Sequence, residues 1–192
     1  FPIAEAGLLL KKDAKSLALL ARSSSYHEAA IGIAAINSLI EVNEEDCVEL
    51  NAGNLLVERG GGKRVALIGH FPFVSNLRKV AKELWVIEKN PGEGDVAEPE
   101  ADKLVPQADV VGITGMAFTN GTVEHLLELC NPRAFVVILG GSAPLSPVLF
   151  NYGISAISGT RVIDSEMVLK YVSQGATFRQ MKGVRLLTIL KK

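Results

Sequence analysis

Two residues, His70 and Glu88, combine a reactive side chain with a suggestive position. An imidazole can act as base, acid or metal ligand near neutral pH, and a carboxylate can hold a cation or a pair of hydroxyls. His70 follows Gly69 at the end of the apolar run 65–68, and Glu88 closes a second apolar run nineteen residues beyond Gly69. The stretch between them has helical spacing, so residues 64–88 outline a βαβ unit. Ligands of open parallel sheets bind at the carboxyl ends of the strands, which puts Gly69, His70, Phe71 and Glu88 around one expected crevice. The plain alternatives carry equal weight here: a histidine that hydrogen-bonds a loop, and a solvated charge at a strand end.

The turn 69–73 reads Gly-His-Phe-Pro-Phe. A dinucleotide turn needs G-x-G-x-x-G, because its second glycine lets pyrophosphate reach the backbone and its third lets helix and strand pack closely. Phe71 and Val74 hold those places, so the usual mode of NAD binding is disfavoured even though Glu88 lies near the spacing of a ribose-binding acid. Pro72 suits the first turn of a helix, whose free N–H groups favour an anion such as a carboxylate or small phosphate.

Two further stretches, 114–122 (TGMAFTNGT) and 140–145 (GGSAPL), join small residues with hydroxyl or amide groups at expected strand ends. Thr114, Asn120, Ser142 and Pro144 are therefore candidate ligand contacts, against the alternative of ordinary turn and cap chemistry. Ser142 lacks the G-x-S-x-G elbow of a hydrolase, since Pro144 replaces the last glycine. His27, His70 and His125 show no HxxxH or HExxH spacing, and the cysteines form no CxxC. A metal site must then be assembled from distant residues, with His70 and Glu88 first and Asp95 next. His125 is expected to face water, and His27 to lie at the surface or at a contact between the two parts of the chain.

The elements that must position these residues follow from the pattern. Expected strands are 65–69, 84–88, 109–113, 134–139, 154–157 and 186–190, short buried runs separated by helices of crossover length. The acidic segment 90–106 carries Pro91, Pro99 and Pro106 and reads as a long loop with at most one helical turn. Before them, residues 1–62 read as a small helical part. Asp13 caps a helix through Arg22, Ser25 and Glu28 form a capping box for 26–40, and a third helix at 51–58 ends at Gly60, Gly61 and Gly62. The expected fold is α/β, a Rossmann-like, mostly parallel sheet over 63–192 preceded by that helical domain. Asn120 or Thr119 should cap the helix reaching Cys130, and Asp164 the one reaching Ser173.

With 192 residues, 48% apolar and 21% charged, the chain can bury a sizeable core. A formal net charge of −1 offers no general attraction for nucleic acid or an anionic membrane. No apolar run approaches the roughly 18 residues of a membrane span, and no signal-peptide pattern opens the chain, so a cytoplasmic location is expected. Cys47 and Cys130 fit reduced, packed thiols.

Several phrases together resemble the uncharacterised heavy-metal chelation domain family. They are the Ala-rich helix ending in Ile33-Ala34-Ala35-Ile36-Asn37, GHFPF at 69–73, the acidic strand end at Glu88, ADVVGITG at 108–115, NGT at 120–122 and GGSAPLSPVLFNYG at 140–153. The resemblance implies a Rossmann-like domain joined to an enolase N-terminal-like domain, with a site in the cleft between them that handles a metal or metal chelate. By position, that site would draw on Asn37 together with His70, Phe71, Glu88, Thr114, Asn120, Ser142 and Pro144. An enolase-like domain opens with antiparallel strands, whereas almost nothing precedes the helix capped by Asp13 and the chain begins at Phe1 rather than Met. Either a leading segment lies outside this sequence or that domain is incomplete.

The leading expectation is a cleft that binds a small anionic metabolite or a metal chelate, with a divalent metal ion as the one cofactor suggested. A second reading is an enzyme using a nucleotide-type cofactor such as S-adenosylmethionine, with Glu88 on the ribose; a third is a binding or regulatory module without turnover. No nucleic-acid or membrane partner is expected, and a homo-oligomer is compatible with the pattern.

Overall fold

The computed structural model describes residues 2–192. The chain is α/β, built on one eight-stranded sheet. Its helical opening comprises α1 (Ala14–Ala18), a 3-10 turn (Leu19–Arg22) and α2 (Tyr26–Leu39). Gly32 lets α2 lie directly on the backbone of Leu20 and Ala21, where a Cβ would collide. Asp13 caps α1 by accepting from the Ser16 N–H. The capping box expected of Ser25 and Glu28 does not form. Glu28 instead accepts from the Ala4 N–H and the Ser23 hydroxyl, a competing pair of donors that a local motif cannot reveal.

Next come β1 (Cys47–Val48) and α3 (Ala52–Gly60), the latter capped by Asn51. The glycine run at 60–62 suggested that this helix ends a separate part. It packs under the sheet instead, where Leu55 and Leu56 join Val65, Leu67, Val110 and Val137 in one core. Gly112 makes this possible, since a Cβ there would meet Leu67 at 2.7 Å and Leu56 at 3.2 Å.

The sheet then builds outward from β2 (Arg64–Ile68). Helix α4 (Val74–Val80) leads to β3 (Glu83–Glu88), and a connection leads to β4 (Val96–Ala97). Short helical turns, α5 (Ala101–Leu104) among them, carry the chain back to β5 (Val110–Thr114) on the other side of β2. After α6 (Met116–Thr119) and α7 (Val123–Leu129) follow β6 (Phe135–Leu139), β7 (Ala156–Val162), α8 (Ser165–Ser173) and β8 (Val184–Leu190). The order is β1-β8-β7-β6-β5-β2-β3-β4, parallel from β7 to β4, with β8 antiparallel to both of its neighbours. Segment 90–106 is therefore more ordered than a loop with one turn, because Ala101 and Val105 are buried against the sheet.

Alternate residues of the central strands feed two cores, one on each face of the sheet. The order in which the strands are laid down reverses between the parallel neighbours β2 and β5, and such switch points open a crevice at the carboxyl ends. Gly69 and Thr114 leave the sheet at that place. At the opposite end the Arg64 guanidinium and Asp109 form a two-pronged ion pair, with Nη2 to Oδ1 at 3.0 Å and Nε to Oδ2 at 3.2 Å, pinning β2 to β5.

Candidate functional site

Gly69 turns the chain out of β2 at φ +107°, a left-handed conformation that favours glycine. A Cβ there would also press on the Phe71 ring at 3.1 Å and on Thr114 at 3.3 Å. This turn aims the His70 N–H at Glu88, which ends the adjacent strand, and the Glu88 Oε1 accepts it at 2.6 Å. Glu88 thus holds the loop as well as facing the crevice.

The His70 ring points to Asp95, with Nδ1 at 3.1 Å from both carboxylate oxygens. The Asp95 side chain is only 4% exposed and also accepts from the Gly92 N–H at 3.1 Å. Because a carboxylate only accepts, the neutral ring carries its proton on Nδ1, which leaves the Nε2 lone pair available. Nε2 has no hydrogen-bond partner among the described residues, and the His70 side chain is 52% exposed. A buried carboxylate behind an exposed imidazole is the arrangement that orients a metal-ligating or proton-transferring histidine.

The structure divides the nine expected ligand-binding residues. Gly69, His70, Phe71, Glu88, Thr114 and Asn120 line one hollow of about 240 Å³ at the switch point. Asn120 also works locally, its Oδ1 accepting from the Thr122 N–H and hydroxyl; it stands before α7 rather than at its cap, which falls at Thr122. Asn37 and Ser142 line a larger cavity of about 720 Å³ between α2 and the loop after β6. There the Asn37 Nδ2 donates to the Ser142 carbonyl at 3.2 Å, while the Asn37 Oδ1 is buried without a partner. Met116 borders both spaces. Pro144 is buried and lines neither.

Among the described residues there is no group of three or more His, Cys, Asp or Glu side chains placed to hold a metal ion. The described residues therefore form no four-donor cage of the kind that holds a structural zinc ion. His125 pairs through Nε2 with Asp102 at 2.8 Å on the surface and takes no part. His27 lies edge-on to Tyr26. Burial pushes the Cys130 thiol up to about 11, and burial together with Glu44 and Asp46 raises that of Cys47, so neither suits a thiolate ligand.

Sequence reasoning missed the cationic rim beside His70, where Arg78, Lys79 and Arg179 share a depression with a single acid, Glu93. Arg78 and Lys79 sat in view on a helix, but Arg179 lies more than a hundred residues from His70 and carries no local signal. No helix among the described residues is long and apolar enough to cross a membrane.

Family comparisons agree with the fold. A model of the family DUF364, described as "Putative heavy-metal chelation", matches residues 51–191, and a second model with the same description, DUF4213, matches residues 3–40. An uncharacterized protein of Methanocaldococcus jannaschii is 28% identical over 188 residues, covering 92% of this chain and 71% of its own length. A crystal structure of a DUF364 protein of unknown function from Desulfitobacterium hafniense superimposes with a TM-score of 0.89 at 28% identity, covering all of this chain and 81% of that one. Another, from Pyrococcus horikoshii, reaches a TM-score of 0.83 at 21% identity over 93% of this chain and 75% of that one, and speaks to the fold alone.

Proposed function

Because the chain belongs to the DUF364 family, whose model is described as "Putative heavy-metal chelation", we propose that its switch-point crevice binds a small anionic metabolite or a metal chelate, with His70 Nε2 completing the coordination of the chelated ion. The observation that carries this reading is the His70–Asp95 pair: a ring held at Nδ1 by a nearly buried carboxylate, with the other nitrogen directed to open space. Asp95 sets the tautomer and the ring angle. Glu88 holds the His70 backbone and adds negative charge beside the ion. The cationic rim of Arg78, Lys79 and Arg179 attracts the anionic chelator. Binding is what these residues explain, and no catalysed step enters the proposal.

A nucleotide-type cofactor is less well supported. Glu88 already spends one oxygen on the His70 N–H, and Phe71 fills the place of the second fingerprint glycine. The proposal keeps two parts of the chain but places their boundary between α2 and β1, since α3 belongs to the sheet's core.

Thermal unfolding of tag-free, dialysed protein tests the reading. Zinc–nitrilotriacetate, a chelate with a free coordination position, is expected to stabilise the wild type far more than zinc chloride or nitrilotriacetate alone. At a hundredfold excess over Kd the gain is about 2.7 kcal/mol, or roughly 5–10 °C for a chain of this size. His70→Ala should abolish the shift and His125→Ala should leave it. Equal shifts in wild type and His70→Ala would remove His70 from the site. A shift with S-adenosylmethionine alone would favour the cofactor reading instead.

A further inference from the structure

On the α3 face of the sheet lies a third cavity, of about 560 Å³, over the carboxyl ends of β5 and β6 and the middle of β7. It shares Phe71 and Thr114 with the His70 hollow, so these two residues border both spaces at the switch point. Three aromatic rings border it. Phe71 and Phe73 stack at 5.3 Å between centroids and 17° between planes, and Phe178 reaches in from the turn between α8 and β8. Two of these rings rest on bare backbone. A Cβ on Gly53 would meet the Phe73 ring at 2.7 Å, and one on Gly141 would meet Phe178 at 3.0 Å. The seats of the rings therefore depend on glycine at both places.

Phe178 keeps 51% of its surface exposed, which leaves a large apolar face in water beside an open cavity. Arg179, its neighbour, lines both this cavity and the cationic depression at His70. Its guanidinium makes no ion pair among the described residues, unlike Arg64, Arg161 and Arg185. Thr160 adds a hydroxyl oxygen that is shielded from water and has no partner among the described residues.

We propose that this cavity takes the aromatic ring of a flat, anionic ligand, with the ring against Phe71 and Phe178 and its carboxylate facing Arg179. Edge and face contacts among rings favour an aromatic body over an aliphatic one of the same volume. An unpaired guanidinium at the mouth favours an anion over a neutral group, because Arg meets a carboxylate with two parallel hydrogen bonds. The inference names the organic part of the chelate and rests on the preceding reading only for the metal.

Metal-free titration calorimetry of the tag-free chain tests it with 2-naphthoate, the neutral 2-naphthamide and cyclohexanecarboxylate. Naphthoate should bind about tenfold more tightly than the amide and more tightly still than the aliphatic acid. Phe178→Ala should weaken naphthoate about threefold to tenfold. Arg179→Met should erase the difference between naphthoate and naphthamide, a change that a merely structural role would not produce. Both residues lie on an exposed turn, so the unfolding midpoint should hold; Phe178→Leu provides a second variant with the apolar bulk retained and the ring removed. His125→Ala, on the surface beside Asp102, should leave naphthoate binding unchanged. Absence of naphthoate binding, equal affinity for all three probes, or no effect of either Phe178→Ala or Arg179→Met would overturn the proposal. Naphthoate binding retained while zinc–nitrilotriacetate fails to stabilise would sink the chelate reading and support this cavity.

Discussion

Asp109→Asn should make the protein less sensitive to acid. The Asp109 carboxylate accepts from the Arg64 Nε and Nη2 and from the Arg64 N–H, the last at 3.0 Å, and these bonds draw its pKa from 3.8 down to about 2. A shift of nearly two units corresponds to about 2.5 kcal/mol at face value. Both partners are about two-fifths exposed, so solvent screening reduces the contribution to about 1 kcal/mol. The folded pKa is depressed. The contribution is therefore complete above pH 4 and disappears as the pH falls from about 4 to about 2. Urea unfolding of wild type and variant from pH 7 to pH 2 should show the variant weaker by about 1 kcal/mol at neutrality, with the gap closing in that window. The comparison cancels the other carboxylates, which titrate in both proteins. A gap that stays constant with pH, or widens in acid, would refute the assignment of the pair as the pin between β2 and β5.

Gly115 packs against the backbone of Ala143, and a Cβ would collide with the Ala143 N–H. Gly115→Ala should cost about 1–3 kcal/mol in urea unfolding by forcing the loops after β5 and β6 apart, whereas Gly61→Ala, at φ −55° and with nothing nearer its Cβ than 3.6 Å, should change stability little. Cys130 should react with iodoacetamide at pH 8 about a hundredfold more slowly than an unperturbed thiol, since burial lifts its pKa from 9.0 to about 11; mass mapping of partially alkylated protein checks this. Asp95→Asn should leave the fold intact but weaken zinc–nitrilotriacetate binding about tenfold in calorimetry, because the ring then loses the carboxylate that fixes its tautomer.

Strands β2, β3 and β6 were legible because each holds a short apolar run closed by glycine or an acid, whereas β7 runs on through Ser158, Gly159, Thr160 and Arg161, well past the apolar run 154–157. Residues 64–68, 83–88 and 135–139 fall within one residue of the runs read from sequence. Direction and neighbourhood were not legible. An apolar run looks the same parallel or antiparallel, so β8 gave no sign that it reverses between β7 and β1, and β1 is only two residues long. Helix ends were legible where the cap is self-contained, as at Asp13, Asn51 and Asp164. They were misleading at Ser25, where donors from elsewhere take the Glu28 carboxylate.

At the crevice, Gly69, His70 and Glu88 could be placed together because a βαβ unit brings consecutive strand ends side by side. The bond between the His70 ring and Asp95 depends on the fold of the loop after β3, and Phe178 and Arg179 arrive through a long excursion between β7 and β8. No spacing in the chain encodes either. Asn37 came only through the family resemblance, and the structure sets it in a separate cavity from His70.

X-ray absorption at the zinc edge, on protein saturated with zinc–nitrilotriacetate, reads the coordination of the chelated ion directly. A single imidazole nitrogen added to the chelator's own donors, present in the wild type and missing in His70→Ala, is the expected spectrum. A spectrum without imidazole, or one unchanged by His70→Ala, would contradict the assignment of His70 as the ligand.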